Sequence, residues 1–97
     1  MIEIEIIDRV GESCSQRFEG DELLIGRASE ADLILEKAGI SKRHARIWRS
    51  GDRFLIADLE STNGTFLNSK RLRSVAALAP CDRVYVGEFI LRIRSLG

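Results

Sequence analysis

Residues 45–58 read Ala45-Arg46-Ile47-Trp48-Arg49-Ser50-Gly51-Asp52-Arg53-Phe54-Leu55-Ile56-Ala57-Asp58. Ala45 and Ile47 bracket Arg46, and Phe54 and Ile56 flank Leu55 in a more fully apolar run. A period of two sends successive side chains to opposite faces, which is the geometry of a strand and not of a helix. Ser50-Gly51-Asp52 between the runs carries turn chemistry. The stretch therefore predicts two short strands joined by a tight turn.

The same pattern continues outward in both directions. Ile2, Ile4 and Ile6 alternate with Glu3 and Glu5; Val84 and Val86 flank Tyr85; Phe89, Leu91 and Ile93 alternate with Ile90, Arg92 and Arg94. These are half-buried strands with one wet face. Turn signals separate them at Asp8-Arg9-Val10-Gly11-Glu12, Glu19-Gly20-Asp21, Asn63-Gly64, Pro80-Cys81-Asp82 and Gly87-Glu88. No stretch of ten or more residues shows a helical stripe; residues 72–79 come closest and are too short. Many short strands with frequent turns predict an all-β sandwich.

The 97 residues suit one domain spanning 1–97, with no repeat, low-complexity segment or linker. A chain of this size buries a core without metals or a dense disulfide network. Its composition, 44% hydrophobic and 31% charged, is that of a soluble globular protein. No apolar run approaches the roughly 20 residues a membrane helix needs, so membrane insertion is not expected. Glu3 and Glu5 interrupt the N-terminal isoleucines, and no basic flank precedes them, so the segment is a strand and not a secretory signal. The expected location is the cytoplasm, where Cys14 and Cys81 read as free, small, buried thiols.

The charges cancel overall but not locally. Residues 1–36 carry ten acidic groups against three basic ones. Residues 37–73 carry nine basic groups (Lys37, Lys42, Arg43, Arg46, Arg49, Arg53, Lys70, Arg71 and Arg73) against three acidic ones. The middle of the chain suits an anionic partner. Taken singly, each of these cations is equally well a solvated strand face.

Catalytic and metal chemistry find little to work with. The single histidine, His44, cannot form a multi-histidine site, and the two cysteines lack zinc-ligand spacing. No phosphate-loop or dinucleotide fingerprint is present. Ser41 and His44 are three residues apart without a nucleophile elbow and read as parts of a hydrogen-bonded loop. The expectation is a non-enzyme with no metal and no cofactor.

Three loops remain. Ile25-Gly26-Arg27 ends a strand; Gly39-Ile40-Ser41-Lys42-Arg43-His44 precedes the Trp48 strand; Asp58-Leu59-Glu60-Ser61-Thr62-Asn63-Gly64-Thr65 leaves the Phe54 strand. A phosphate monoester brings a charge of about −1.5 to −2 and three strong acceptor oxygens. Arg27 offers a planar fork of donors, Ser41 and Thr62 offer hydroxyls, Lys42 a mobile cation, and Asn63 an amide donor and acceptor. Each has a plainer reading beside this one. Asn63-Gly64 is first a hairpin signal, because both residues tolerate positive φ. Ser61, Thr62 and Thr65 can satisfy turn backbone. Arg27 can be a strand-end arginine, and His44 a structural histidine. The residues alone thus reach an anion site on the loops of a β-sandwich.

In order and spacing, Gly26-Arg27, Ser41-Lys42-Arg43-His44 and Ser61-Thr62-Asn63-Gly64-Thr65, with Asn68 three residues on, resemble the signature of the forkhead-associated (FHA) family in its bacterial form. Val84-Tyr85-Val86-Gly87 followed by Phe89-Ile90-Leu91 resembles that family's last hairpin. The resemblance implies a sandwich of two antiparallel or mixed sheets with about eleven short strands, its loops at one end forming the site. It implies binding of a threonine-phosphorylated protein or peptide, as one module of a longer signalling or assembly protein. Arg27, Ser41, Lys42, Thr62 and Asn63 would touch the phosphopeptide; Gly26, His44, Gly64 and Thr65 would shape the loops. Lys37, Ala38, Gly39 and Arg43 would set preference around the phosphothreonine. Two positions depart from the pattern: Ser69 replaces the usual glycine, and Lys42 stands where several members carry asparagine or arginine. The competing function is a phosphate-independent scaffold that self-associates through a sandwich face or edge strand. Nucleic acid is a poor fit, with zero net charge and few exposed aromatics.

Overall fold

A computed structural model describes all of residues 1–97. The chain forms eleven strands: β1 Ile2–Ile7, β2 Ser13–Phe18, β3 Glu22–Gly26, β4 Leu33–Ile34, β5 Ala45–Ser50, β6 Arg53–Asp58, β7 Thr65–Leu67, β8 Lys70–Arg71, β9 Ala76–Leu78, β10 Arg83–Val86 and β11 Phe89–Leu96. They build two sheets, ordered β2-β1-β11-β10-β7-β8 and β4-β3-β5-β6-β9. Pairing is antiparallel throughout except between β3 and β4, which makes the second sheet mixed. This is the eleven-stranded, all-β sandwich expected above. Residues 72–79 carry β9 and no helical turn.

Alternation explains the packing. Ile2, Ile4 and Ile6 of β1 are buried while Glu3, Glu5 and Ile7 are partly exposed. Leu91 and Ile93 of β11 sit across from Ile6 and Ile4 and share their inward face. Leu23, Ile25, Ala45, Ile47, Phe54 and Ile56 supply the facing layer from β3, β5 and β6. Burying each larger aliphatic side chain contributes about 1.5–3 kcal/mol, so these two faces hold the sheets together. On the outer face Glu5 meets Arg92 at 3.4 Å and Arg94 at 3.9 Å.

Two expectations need correction. Asn63-Gly64 does not close a hairpin. β6 pairs with β5 and β9, whereas β7 pairs with β10 and β8, so this turn carries the chain from one sheet to the other. The turn signal reports tolerance of positive φ, which Gly64 uses at 86°, and says nothing of which strands pair. Cys14 and Cys81 are exposed, not buried. Cys14 lies opposite Ile6 on β2, an edge strand exposed along its length except at Phe18. Cys81 lies in the turn between β9 and β10 with φ 75°.

Cross-strand register places the loops. Ile25 of β3 pairs with Ala45 of β5, which pairs with Asp58 of β6. The segments after β3, before β5 and after β6 therefore emerge at one end of the sandwich. Thr65 of β7 pairs with Val86, just before Gly87. A Cβ on Gly87 would come within 2.8 Å of Ile40, so the β10–β11 turn closes against the same loops.

Candidate phosphate-binding cleft

The end of β3 is pinned to the loop before β5 by backbone alone. Arg27 N–H donates to the Ser41 carbonyl at 3.0 Å, Ala28 N–H to Lys42 at 3.2 Å, and His44 N–H to Ile25 at 2.8 Å. This approach demands glycine at 26, because a Cβ there would lie 2.0 Å from the Lys42 carbonyl oxygen. Arg27 is thereby held beside Ser41. Its Nε–H donates to the Ile40 carbonyl at 3.0 Å, and its two terminal amino groups have no protein partner.

His44 is fully buried. Its Nδ1 accepts the Ser41 N–H at 3.1 Å and so carries no proton. Its Nε2–H then donates to the Gly64 carbonyl at 2.9 Å. A neutral ring with both nitrogens occupied leaves no free base, and it ties the loop before β5 to the loop after β6.

The second tie is a residue that sequence reasoning passed over. Asp58 accepts the Ser61 and Thr65 hydroxyls on one oxygen and the Ser61 N–H on the other. Ser61 Oγ in turn accepts the Gly64 N–H at 2.9 Å. Burial alone would push the Asp58 carboxyl up; the hydrogen bonds from Ser61 and Thr65 outweigh it and hold the group below its ordinary value. The whole turn is wound around one carboxylate. The signal was present: an aspartate three residues before a serine is a side-chain-capped turn waiting to form.

These ties open a cleft of about 730 Å³ onto which Arg27, Ser41, Thr62 and Asn63 all face. Ser41 Oγ accepts the Thr62 N–H at 3.0 Å, which leaves its own proton free to donate into the cleft. Asn63 Nδ2 donates to the Gly39 carbonyl at 2.9 Å, keeping a second amide proton and Oδ1 unspent. Residues 36–40 complete the lining, with Lys37 as a further cation and Glu36 as its one carboxylate. Lys42 is exposed but does not line the cleft, and neither does Arg43. No group of three or more His, Cys, Asp or Glu side chains is gathered anywhere to hold a metal. A cationic fork, a free hydroxyl proton and a spare amide around one opening can bind an anion of phosphate size.

Known proteins place this arrangement. The FHA domain family profile matches residues 23–87, the span that holds all of these loops. The chain belongs to the FHA domain family. It is 35% identical over 66 residues to an oxoglutarate dehydrogenase inhibitor of Corynebacterium jeikeium, a match covering 68% of this chain and 45% of that protein. An FHA domain solved in a study of phosphothreonine-dependent FHA interactions is 30% identical, with a TM-score of 0.81 and 99% and 97% of the two chains covered. The FhaA FHA domain, solved in complex with the intracellular domain of Rv3910, is also 30% identical, with a TM-score of 0.82 and 97% and 100% covered. The chain spans under half the length of the curated relative it matches. No helix of this FHA domain is long and apolar enough to cross a membrane.

Proposed function

We propose that this FHA domain binds a threonine-phosphorylated segment of a partner protein in the cleft and catalyses no reaction. The observation that carries the reading is the set of unspent donors: the Arg27 amino groups, the Ser41 hydroxyl and the Asn63 amide, from three separate loops, share one opening. In this reading Ser41 and Thr62 donate to the phosphate, and Arg27 steadies the phosphothreonine. Asn63 holds the peptide backbone, and Lys42 adds attraction from the rim. Gly26, His44, Gly64 and Thr65 act only by shaping the loops. The phosphothreonine-dependent interactions studied for the 30% identical FHA neighbour support this assignment.

Residues 1–97 would then be one reader domain of a longer regulatory protein. A cytoplasmic setting suits its two exposed, unpaired thiols. Nucleic acid is outside this reading: Arg46 stacks over the protein's own Trp48 at 4.5 Å and so occupies a ring that bases would need, and Phe54 is buried in the core. An oriented phosphothreonine peptide library tests the assignment. The wild type should enrich a defined set of sequences, and Ser41→Ala should lose that enrichment; a library that enriches nothing on the wild type overturns it.

One observation favours the scaffold reading. The outer face of the second sheet carries Leu24, Trp48, Leu55, Ala57 and Ala77 in adjacent cross-strand positions, interrupted by the Arg46–Glu22 pair and bounded by Ser50 and Arg53. Sedimentation without phosphopeptide decides between them: a stable oligomer supports the scaffold, a monomer removes it.

A further inference from the structure

The β7–β8 hairpin and its exit carry Lys70, Arg71 and Arg73 within four residues, all exposed. None of the three forms an ion pair or a side-chain hydrogen bond. Other arginines of this domain do find carboxylates: Arg17 meets Glu19, Arg46 meets Glu22, Arg49 meets Asp21, and Arg92 and Arg94 share Glu5. The three free cations line a groove of about 520 Å³ over an apolar base of Leu67, Leu72 and Ala76, and no acidic residue lines it. Arg73 also borders a smaller hollow with Asp58 and Glu60. It pairs with neither, and the Asp58 oxygens are already taken by Ser61 and Thr65.

Two further features give the groove a direction. β8 pairs only with β7, so its outer backbone edge is open to an extended chain. The Arg71 guanidinium lies against Gly64, close enough that a Cβ there would be 2.8 Å from Nε. Gly64 is next in the chain to Asn63 on the cleft. The basic groove thus begins where the candidate phosphate cleft ends.

We infer that this groove receives an acidic run of the partner chain flanking its phosphothreonine. The inference rests on the phosphothreonine reading for its anchor and on charge complementarity for its occupant. Exposed ion pairs are individually weak and salt-sensitive, so three together should raise affinity about threefold to thirtyfold at low salt. The gain should shrink as salt shortens the range of the field.

Calorimetric titration separates the two claims. Four peptides are compared: a phosphothreonine core, the same core with a four-glutamate run on its N-terminal side, the core with that run on its C-terminal side, and the acidic extension without phosphate. On the wild type one extension should bind more tightly than the core. The Lys70→Ala/Arg73→Ala variant should bind the core within twofold of wild type and lose the gain. A Lys70→Glu/Arg73→Glu variant should instead prefer a lysine extension, a reversal that mere misfolding could not produce. No gain from either extension, or a gain that survives in both variants, overturns the inference while leaving core binding as evidence for the cleft. Failure of the phosphorylated core, with unphosphorylated extension still captured and lost in the variants, would keep the groove and remove the phosphothreonine reading.

Discussion

The two ends of the sandwich use the same device to different effect. At the end opposite the cleft, Asn68 and Asp82 clasp the β7–β8 and β9–β10 turns. Asn68 N–H donates to the Arg83 carbonyl, its Nδ2 to Asp82, and its Oδ1 accepts the Arg83 N–H. Asp82 takes the Ala79 N–H on its other oxygen. Both carboxylate oxygens of Asp82 and the amide oxygen of Asn68 are spent on joining these turns. At the cleft end Asp58 and His44 also bind turns together, but Arg27, Ser41 and Asn63 keep donors in reserve. The far clasp is spent on joining turns; in the reading proposed above, the cleft end keeps its donors around an opening for a ligand.

The largest effect is expected from His44→Ala. It strands the half-buried Ser41 N–H and the buried Gly64 carbonyl and leaves a void, which should cost about 3–4 kcal/mol in urea unfolding and abolish peptide binding with it. Next is Arg27→Ala, which removes a charge-assisted contact. It should weaken phosphopeptide binding by about 1.5–3 kcal/mol, tenfold or more, with a much smaller loss of stability. Asn68→Ala should do the converse at the other end. Alanine at φ 55° with the clasp removed should lose about 1–2 kcal/mol of stability, and affinity for a phosphothreonine core peptide without an acidic extension should not move.

The smallest effect is a pH signature. The folded Asp58 carboxyl is held below its ordinary value of 3.8, so its stabilising bonds are fully present above that value. They are lost as pH falls through the folded value, because the unfolded chain binds the proton first. Unfolding scans from pH 6 downward should show the wild type losing stability more steeply than Asp58→Asn below about pH 4, the ordinary aspartate range.

Much of the fold was legible because one face of most strands is wet. Ile2-Glu3-Ile4-Glu5-Ile6 announces its inward side, and Gly87-Glu88 joins β10 to β11 as a true two-residue hairpin, with Val86 opposite Phe89. What failed was long-range. Asn63-Gly64 could not reveal that its flanking strands join different sheets, and Cys14 could not reveal that β2 lies at an edge. Within the site, Arg27, Ser41, Thr62 and Asn63 were nameable from residue type and pattern, and the fold gathers them around one cleft. Lys42 was nameable too, yet it lies off the lining, since neighbouring residues in an extended loop need not face the same way. The spacing of Asp58 to Ser61 carried a turn signal that went unread, whereas Arg71 acts through a contact with Gly64 across the β7–β8 hairpin, which no local pattern announced.

In the proposed function, the reserved donors of the cleft end recognise phosphate. Titration of wild-type protein with one threonine peptide in phosphorylated and unphosphorylated form tests it most directly. Saturable binding of the phosphorylated peptide, with no detectable heat from its unphosphorylated twin, is the predicted result; equal binding of the two would contradict it.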